Sequence, residues 1–189
     1  MLRCLLTLAL LLLTAGPVIG QMQLGCFFDA YWFDSASKRA DDRGPLKDAG
    51  FWRIASSITP SDDPFLDACQ KAGQKVLYSP NTTTDAQDKA FFAKFSCIDV
   101  YNVADDANVG HTPAEMRALV AAARAKIRPD MKTFLTFGKS AVPSEWANIS
   151  DVVGLQLYTY GEPSLRKWYW EYVRDWRAAH TGKIWVHPY

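Results

Sequence analysis

The chain is poor in cysteine, has no basic cluster and carries no glycine-rich phosphate turn, and each lack removes a class of protein. Of four cysteines in 189 residues, Cys4 lies in the first apolar run, which leaves Cys26, Cys69 and Cys97. That is no disulfide framework; at most one bridge can form. Lys and Arg total 21 against 20 Asp and Glu, a formal charge of +1, and no segment concentrates them. Nucleic acid and an anionic membrane surface are therefore not expected as partners. With only three histidines, no H-E-x-x-H and no paired C-x-x-C, neither a metal site nor any cofactor is expected. Ser56-Ser57 has no G-x-S-x-G elbow around it, which argues against a serine hydrolase. No low-complexity linker or charge block marks a second domain.

Long apolar runs are also missing, with one short exception. Arg3 precedes nine residues, Leu5 to Leu13, that are nearly all Leu and Ala, and Gly16-Pro17 breaks the run ahead of Val18-Ile19-Gly20. This is the layout of a cleaved secretory signal over residues 1–20, too short for the roughly 20 residues that span a bilayer. The expectation is a secreted or periplasmic protein beginning near Gln21. With 49% apolar residues, residues 21–189 are enough for one sizeable core, read as a single domain.

What the chain does have is one unit repeated. Leu46-Lys-Asp-Ala-Gly50 leads into Phe51-Trp-Arg-Ile54, and Phe65 through Gly73 leads into Lys75-Val-Leu-Tyr78: a helix stopped by glycine, then an apolar strand. The pattern continues with a helix over Asp85 to Phe95, a strand over Ile98 to Ala104, and a helix opened by Thr112-Pro113-Ala114-Glu115. That opening is a capping box with proline at the first helical position, and Met116, Leu119, Val120, Ala123 and Ile127 form its apolar stripe. Strands at Thr133–Phe137, Val152–Tyr160 and Ile184–His187, a short helix over Ser144–Ala147 and an aromatic helix over Ser164–Ala179 complete the series. With Cys26–Tyr31 and Arg53–Ile58 the strands number seven. Helix crossovers favour parallel strands, so the expected fold is α/β, a TIM-type (β/α) barrel. The alternative is an open doubly wound sheet. Closed barrels have eight strands, so ending at Pro188-Tyr189 is read as C-terminal truncation.

Barrel chemistry sits at the carboxyl ends of strands. On strand four the period of two places Asn102, Ala104 and Asp106 on the barrel side, with Asp105 of opposite parity unless the backbone turns there. The Asp105–Asp106 pair is read either as catalytic carboxylates or as a loop cap. Asp29 lies beside Tyr31 and Trp32 at the end of strand one, an acid among flat rings suited to sugar. Asn81 follows strand three; Gln156, Tyr158 and Tyr160 share a face of strand six; His187 ends strand seven. Their amides, phenols and imidazole are candidate partners for ligand hydroxyls. Asn81-Thr-Thr83 and Asn148-Ile-Ser150 match the glycosylation pattern. Trp168, Tyr169, Trp170, Tyr172 and Trp176 are assigned mostly to packing.

Tyr101-Asn-Val-Ala-Asp105-Asp106, the helix opened by Thr112-Pro113 and the Arg128-Pro129-Asp130 step together resemble the middle of glycoside-hydrolase-type (β/α) barrels. Asp151-Val-Val-Gly-Leu-Gln156-Leu-Tyr158 resembles the sixth strand of chitinase-like barrels, whose Gln and Tyr line the sugar cleft. The resemblance implies a carbohydrate partner and hydrolysis of a glycosidic bond, with Asp106 as general acid and Asp29 or Asp105 as base or nucleophile. Two features depart from it: the D-x-x-D-x-D-x-E pattern is absent, and the seventh strand, Trp185-Val-His187-Pro-Tyr189, has no glutamate. A non-catalytic carbohydrate-binding or degenerate barrel is the other reading, and an unstable truncated product the third.

Overall fold

The computed structural model describes residues 25–27, 53–138, 141–157 and 164–188. They form seven strands and five helices: β1 (Gly25–Phe27), β2 (Arg53–Ile58), α1 (Asp63–Lys71), β3 (Lys75–Pro80), α2 (Asp85–Lys94), β4 (Ile98–Ala104), α3 (Pro113–Lys126), β5 (Lys132–Phe137), α4 (Pro143–Trp146), β6 (Val152–Leu157), α5 (Ser164–Ala179) and β7 (Lys183–Pro188). The signal segment, the first predicted helix over 46–50, Asp29, Tyr31, Trp32, Tyr158 and Tyr160 lie outside the described residues.

Every strand pairs in parallel with its neighbours in sequence, in the order β1 to β7 without a reversal. A doubly wound sheet requires a switch point where the order reverses, so this is the singly wound arrangement of a barrel. Curvature follows from one contact. The Arg53 guanidinium on β2 lies 4.9 Å from the ring centroid of Trp185 on β7. Five strand spacings would hold these strands about 24 Å apart in a flat sheet, so the sheet curls until β2 and β7 meet across its concave face. Among the described residues no pairing joins β7 to β1.

The two faces of the sheet are packed differently. The convex face carries the helices in two clusters. One joins Ile54, Val76, Tyr78 and Ile98 to Phe65 and Leu66 of α1 and Phe91 and Phe92 of α2. The other joins Leu135, Phe137, Val153 and Leu155 to Met116 and Val120 of α3, Trp146 of α4 and Tyr172 and Trp176 of α5. The concave face is packed by strand residues alone: Ala55, Leu77, Val100, Phe134 and Val152, with Trp185 against them. Below this layer, at the N-terminal ends of the strands, Arg53 makes a bidentate ion pair with Asp99, Nη2 to Oδ2 at 2.5 Å.

Local sequence explains the helix ends. Thr112 and Glu115 form the expected capping box, and Thr84 with Gln87 forms a second one that opens α2. Arg128, of the Arg-Pro step, donates to the carbonyls of Phe92, Phe95 and Ile98 and so satisfies the end of α2 and the start of β4. In α3, Met116, Val120 and Ala123 are buried as expected, but Leu119 is 43% exposed. It stands at the edge of a stripe made narrower by the i, i+4, i+7 spacing of the buried three. Trp170 likewise departs from the packing assignment, at 69% exposure, whereas Tyr172 and Trp176 are buried.

The turn between α4 and β6 is tied to the end of α5. Asn148 adopts a left-handed conformation, φ 62°, and its amide group donates to the Ala179 carbonyl at 3.1 Å and accepts from the Thr181 backbone and hydroxyl, each at 2.9 Å. Both ends of this amide are engaged, so the Asn148-Ile-Ser150 match serves as a turn rather than as a free acceptor. The Asn148 N–H donates to Nδ1 of the buried His180 at 3.1 Å, which places the ring proton on Nε2. Burial lowers the His180 pKa below its ordinary 6.5. A histidine held neutral in the fold is protonated first in the unfolded chain, so its contribution is complete above about pH 6.5 and is lost as pH falls. Urea midpoints are expected to decline between pH 6.5 and 5, with a flatter profile for His180→Gln; a His180 ring titrating at its ordinary pKa by NMR would contradict this.

Candidate functional site

The concave face ends, at the carboxyl termini of the strands, in a layer of polar side chains. On β2 and β3, Ser57 and Ser79 are register partners, and Asn102 of β4 donates through Nδ2 to Ser79 Oγ at 3.1 Å. Thr136 of β5 and Gln156 of β6 complete the row, and both are buried. His187 is the register partner of Gln156 on β7. Asn81 stands just past β3, where its N–H donates to the carbonyl of Ile58 at 2.8 Å.

The central acid of this layer is Asp105. In the β4–β5 ladder Asn102 pairs with Phe134 and Ala104 with Leu135, so Val103 is an extra residue. Such a β-bulge reverses the alternation beyond it. Ala104 therefore packs with the convex cluster instead of sharing the inner face with Asn102, and Asp105 turns inward where strict alternation would have placed Asp106. Asp105 Oδ1 accepts from the Thr136 hydroxyl, from Gln156 Nε2 at 2.5 Å and from the Asp106 N–H at 3.2 Å. One carboxylate oxygen is thus clamped from two neighbouring strands, while the side chain as a whole stays exposed.

Asp106 has a different environment. Its backbone is left-handed, φ 44°, and its N–H also donates to Thr136 Oγ1 at 2.8 Å. Its carboxyl lies over Gly138, where an added Cβ would stand 3.7 Å from Oδ1. Asn108 Oδ1 accepts from the Gly138 N–H at 3.2 Å, and the Tyr172 hydroxyl donates to the Gly138 carbonyl at 2.7 Å, so the floor under Asp106 is fixed from two sides. Burial, and then the neighbouring Asp105, push the Asp106 pKa above its ordinary 3.8. Asp106 thus holds its proton to higher pH than an ordinary carboxyl, as a general acid requires, and Asp105 presents a carboxylate oxygen fixed by hydrogen bonds.

The structure thus brings together Asp105, Asp106 and Gln156 and places Asn102, Asn81 and the His187 backbone on the same rim. Thr136, which touches Asp105, Asp106 and Gln156, was not singled out in the sequence. Its signal was available: it shares the inner face of β5 with Phe134 and stands at the carboxyl end of that strand. Among the described residues no group of three His, Cys, Asp or Glu side chains is placed to hold a metal ion.

No protein-family model matches the chain, and no curated protein matches it. Solved structures do match. A β-1,3-glucanosyltransferase of glycoside hydrolase family 17 from Rhizomucor miehei superposes with a TM-score of 0.64 at 12% identity, over 86% of this chain and 70% of that one. This chain shares that enzyme's (β/α)-barrel fold. A β-glucuronidase from Dictyoglomus thermophilum has a TM-score of 0.62 at 13% identity, over 79% of this chain and 32% of that one. A putative β-galactosidase from Bacteroides fragilis has 0.61 at 14%, over 86% and 27%. The chain therefore spans over two thirds of the glucanosyltransferase but about a third or less of the other two, and identities this low speak for the fold alone.

Proposed function

We propose that this chain acts on glycosidic bonds of a poly- or oligosaccharide at the carboxyl ends of its barrel strands. The observation that carries the reading is Asp105, turned into the mouth of a glycoside-hydrolase-type barrel by the β4 bulge and clamped there by Thr136 and Gln156. Asp105 is the base or nucleophile, and Asp106, whose pKa is raised, donates the proton to the leaving oxygen. Two carboxyl groups suffice for either stereochemical course. Asn102, Gln156 and the rim around them meet sugar hydroxyls, and Asp29, Tyr31, Trp32, Tyr158 and Tyr160 are proposed to extend that rim. A secreted protein fits a polymeric substrate. The second reading is carbohydrate binding without turnover, favoured by the absence of a carboxylate from β7, which reads Lys183-Ile-Trp-Val-His-Pro188.

Reducing-end release from a panel of soluble polysaccharides tests the proposal, with wild type beside Asp105→Asn and Asp106→Asn after circular dichroism has shown all three folded. Each substitution is expected to lower the rate by at least about a hundredfold. Because a general acid must be protonated, the wild-type rate is expected to fall as pH rises through the elevated Asp106 pKa, and this limb should vanish in Asp106→Asn. Affinity for an oligosaccharide without hydrolysis selects the second reading; neither affinity nor hydrolysis rejects both.

A further inference from the structure

At the opposite end of the barrel, where β5, β6 and β7 begin, a cavity of about 610 Å³ is lined by four cationic side chains. They come from four separate elements: Arg124 from the last turn of α3, Lys132 from the first residue of β5, Arg177 from the last turn of α5 and Lys183 from the first residue of β7. One carboxylate, Asp151, lies among them. Burial would push the Asp151 pKa up, but hydrogen bonds from the Thr133 N–H and hydroxyl and the nearby charges of Arg124 and Lys132 hold it below the ordinary range. Its two oxygens are occupied by Thr133, at 2.8 and 2.9 Å, and by Arg124, at 3.2 Å. Asp151 ion-pairs with Arg124 and also lies in the field of Lys132, so one negative charge faces four positive ones.

The other three cations are left over. Arg177 reaches only the Gly182 carbonyl, at 3.4 Å, and stands where the negative end of the α5 dipole offsets part of its charge. The ammonium groups of Lys132 and Lys183 make no hydrogen bond or close ion pair among the described residues, and both residues begin strands, where no helix end offsets them. The sheet register sets them on either side of β6, since Val152 pairs with Lys183 on one side and with Phe134, two residues beyond Lys132, on the other. Two lysines that line one hollow, each with a long and flexible ammonium stem, suit a compact multivalent anion better than a planar carboxylate, for which Arg is the matched donor. The volume lies in the range of small-ligand sites and is many times that of a bare ion.

We propose that this cavity is a second binding site, for a sulfate or phosphate group carried as an ester on a small organic body such as a sugar, held by Lys132 and Lys183 with Arg177. It is independent of the Asp105 site and of any turnover there.

Isothermal titration of the full chain at low ionic strength tests it with four probes: glucose 6-phosphate, glucose 6-sulfate, inorganic phosphate and glucose. The esters are expected to bind and glucose not to. Their affinity should drop at least tenfold in Lys132→Met/Lys183→Met, as follows from losing charged hydrogen bonds, and should weaken steeply in 0.5 M salt. Both lysines are exposed, so the variant should keep the wild-type circular dichroism spectrum, and polysaccharide hydrolysis by wild type and variant should be equal. Inorganic phosphate binding as tightly as the esters would overturn the esterified ligand in favour of a free-ion site. Absence of binding by any anion, or binding untouched by the double substitution, would overturn the site itself.

Discussion

Gly154→Ala is expected to destabilise the protein by about 1–3 kcal/mol, although alanine for glycine in a strand is ordinarily favourable. The sign is decided by space on the concave face. A Cβ at residue 154 would stand 2.4 Å from Cζ and 2.9 Å from Cε2 of Phe134, and 3.1 Å from Cγ2 of Thr136. The Phe134 ring cannot simply withdraw, because it is buried and packs on Trp185 at a centroid distance of 5.1 Å. The displaced partner on the other side is Thr136, whose hydroxyl holds Asp105, so the substitution should also weaken the site. Urea denaturation of Gly154→Ala beside Gly154→Ala/Phe134→Leu separates packing from other causes: the smaller side chain should restore most of the loss. A double variant no more stable than the single one would show that the close approach is not what requires glycine.

The second large effect lies beneath that layer. Asp99→Ala is expected to cost about 3 kcal/mol, because it takes a bidentate carboxylate away from Arg53, a residue 8% exposed at the base of the barrel. The penalty belongs to a buried charge that has lost its carboxylate and not to the worth of the pair, so Arg53→Met/Asp99→Ala should recover much of it. Methionine can keep the contact with the Trp185 ring that the guanidinium now makes. Chemical denaturation of both single variants and the double variant forms a thermodynamic cycle. Additive losses, with no recovery in the double variant, would count against the ion pair as the reason Arg53 is tolerated there.

Much of the fold was legible because the strand–helix repeat is written in local signals. The glycine after α1, the Thr112–Glu115 capping box and the apolar runs at Arg53–Ile58 and Ile98–Ala104 depend on neighbours only a few residues away. The orientation of the acids on β4 was not legible in the same way. Asp99-Val-Tyr-Asn-Val-Ala-Asp-Asp106 alternates well enough to be continued in register, and only pairing with β5 shows that Val103 is supernumerary. Leu119 was misplaced for a related reason: its apolarity fits a stripe whose width is fixed by what α3 packs against. The basic cavity was invisible because Arg124, Lys132, Arg177 and Lys183 are scattered through sixty residues, and only the sheet order gathers them. A flat count of charge therefore suggested a neutral surface where the fold builds a positive hollow.

Strictly sequential strand order has a consequence for how the chain folds. Arg53 pairs with Lys75, Val100 with Lys132 and Phe134 with Val152, so each ladder closes a loop of roughly twenty to thirty residues and adds to one already standing. The entropic cost of closure grows only slowly with loop length, so each added strand costs about as much as the one before it. The meeting of Arg53 with Trp185 is of another kind, since it joins β2 to β7 across nearly the whole described chain. The strand order lets neighbouring pairs form independently of one another, whereas the curl that brings β2 to β7 requires both ends of the sheet. Without that contact the inner apolar layer and the polar rim above it would have no opposite wall, so the shape of the rim depends on both ends of the sheet.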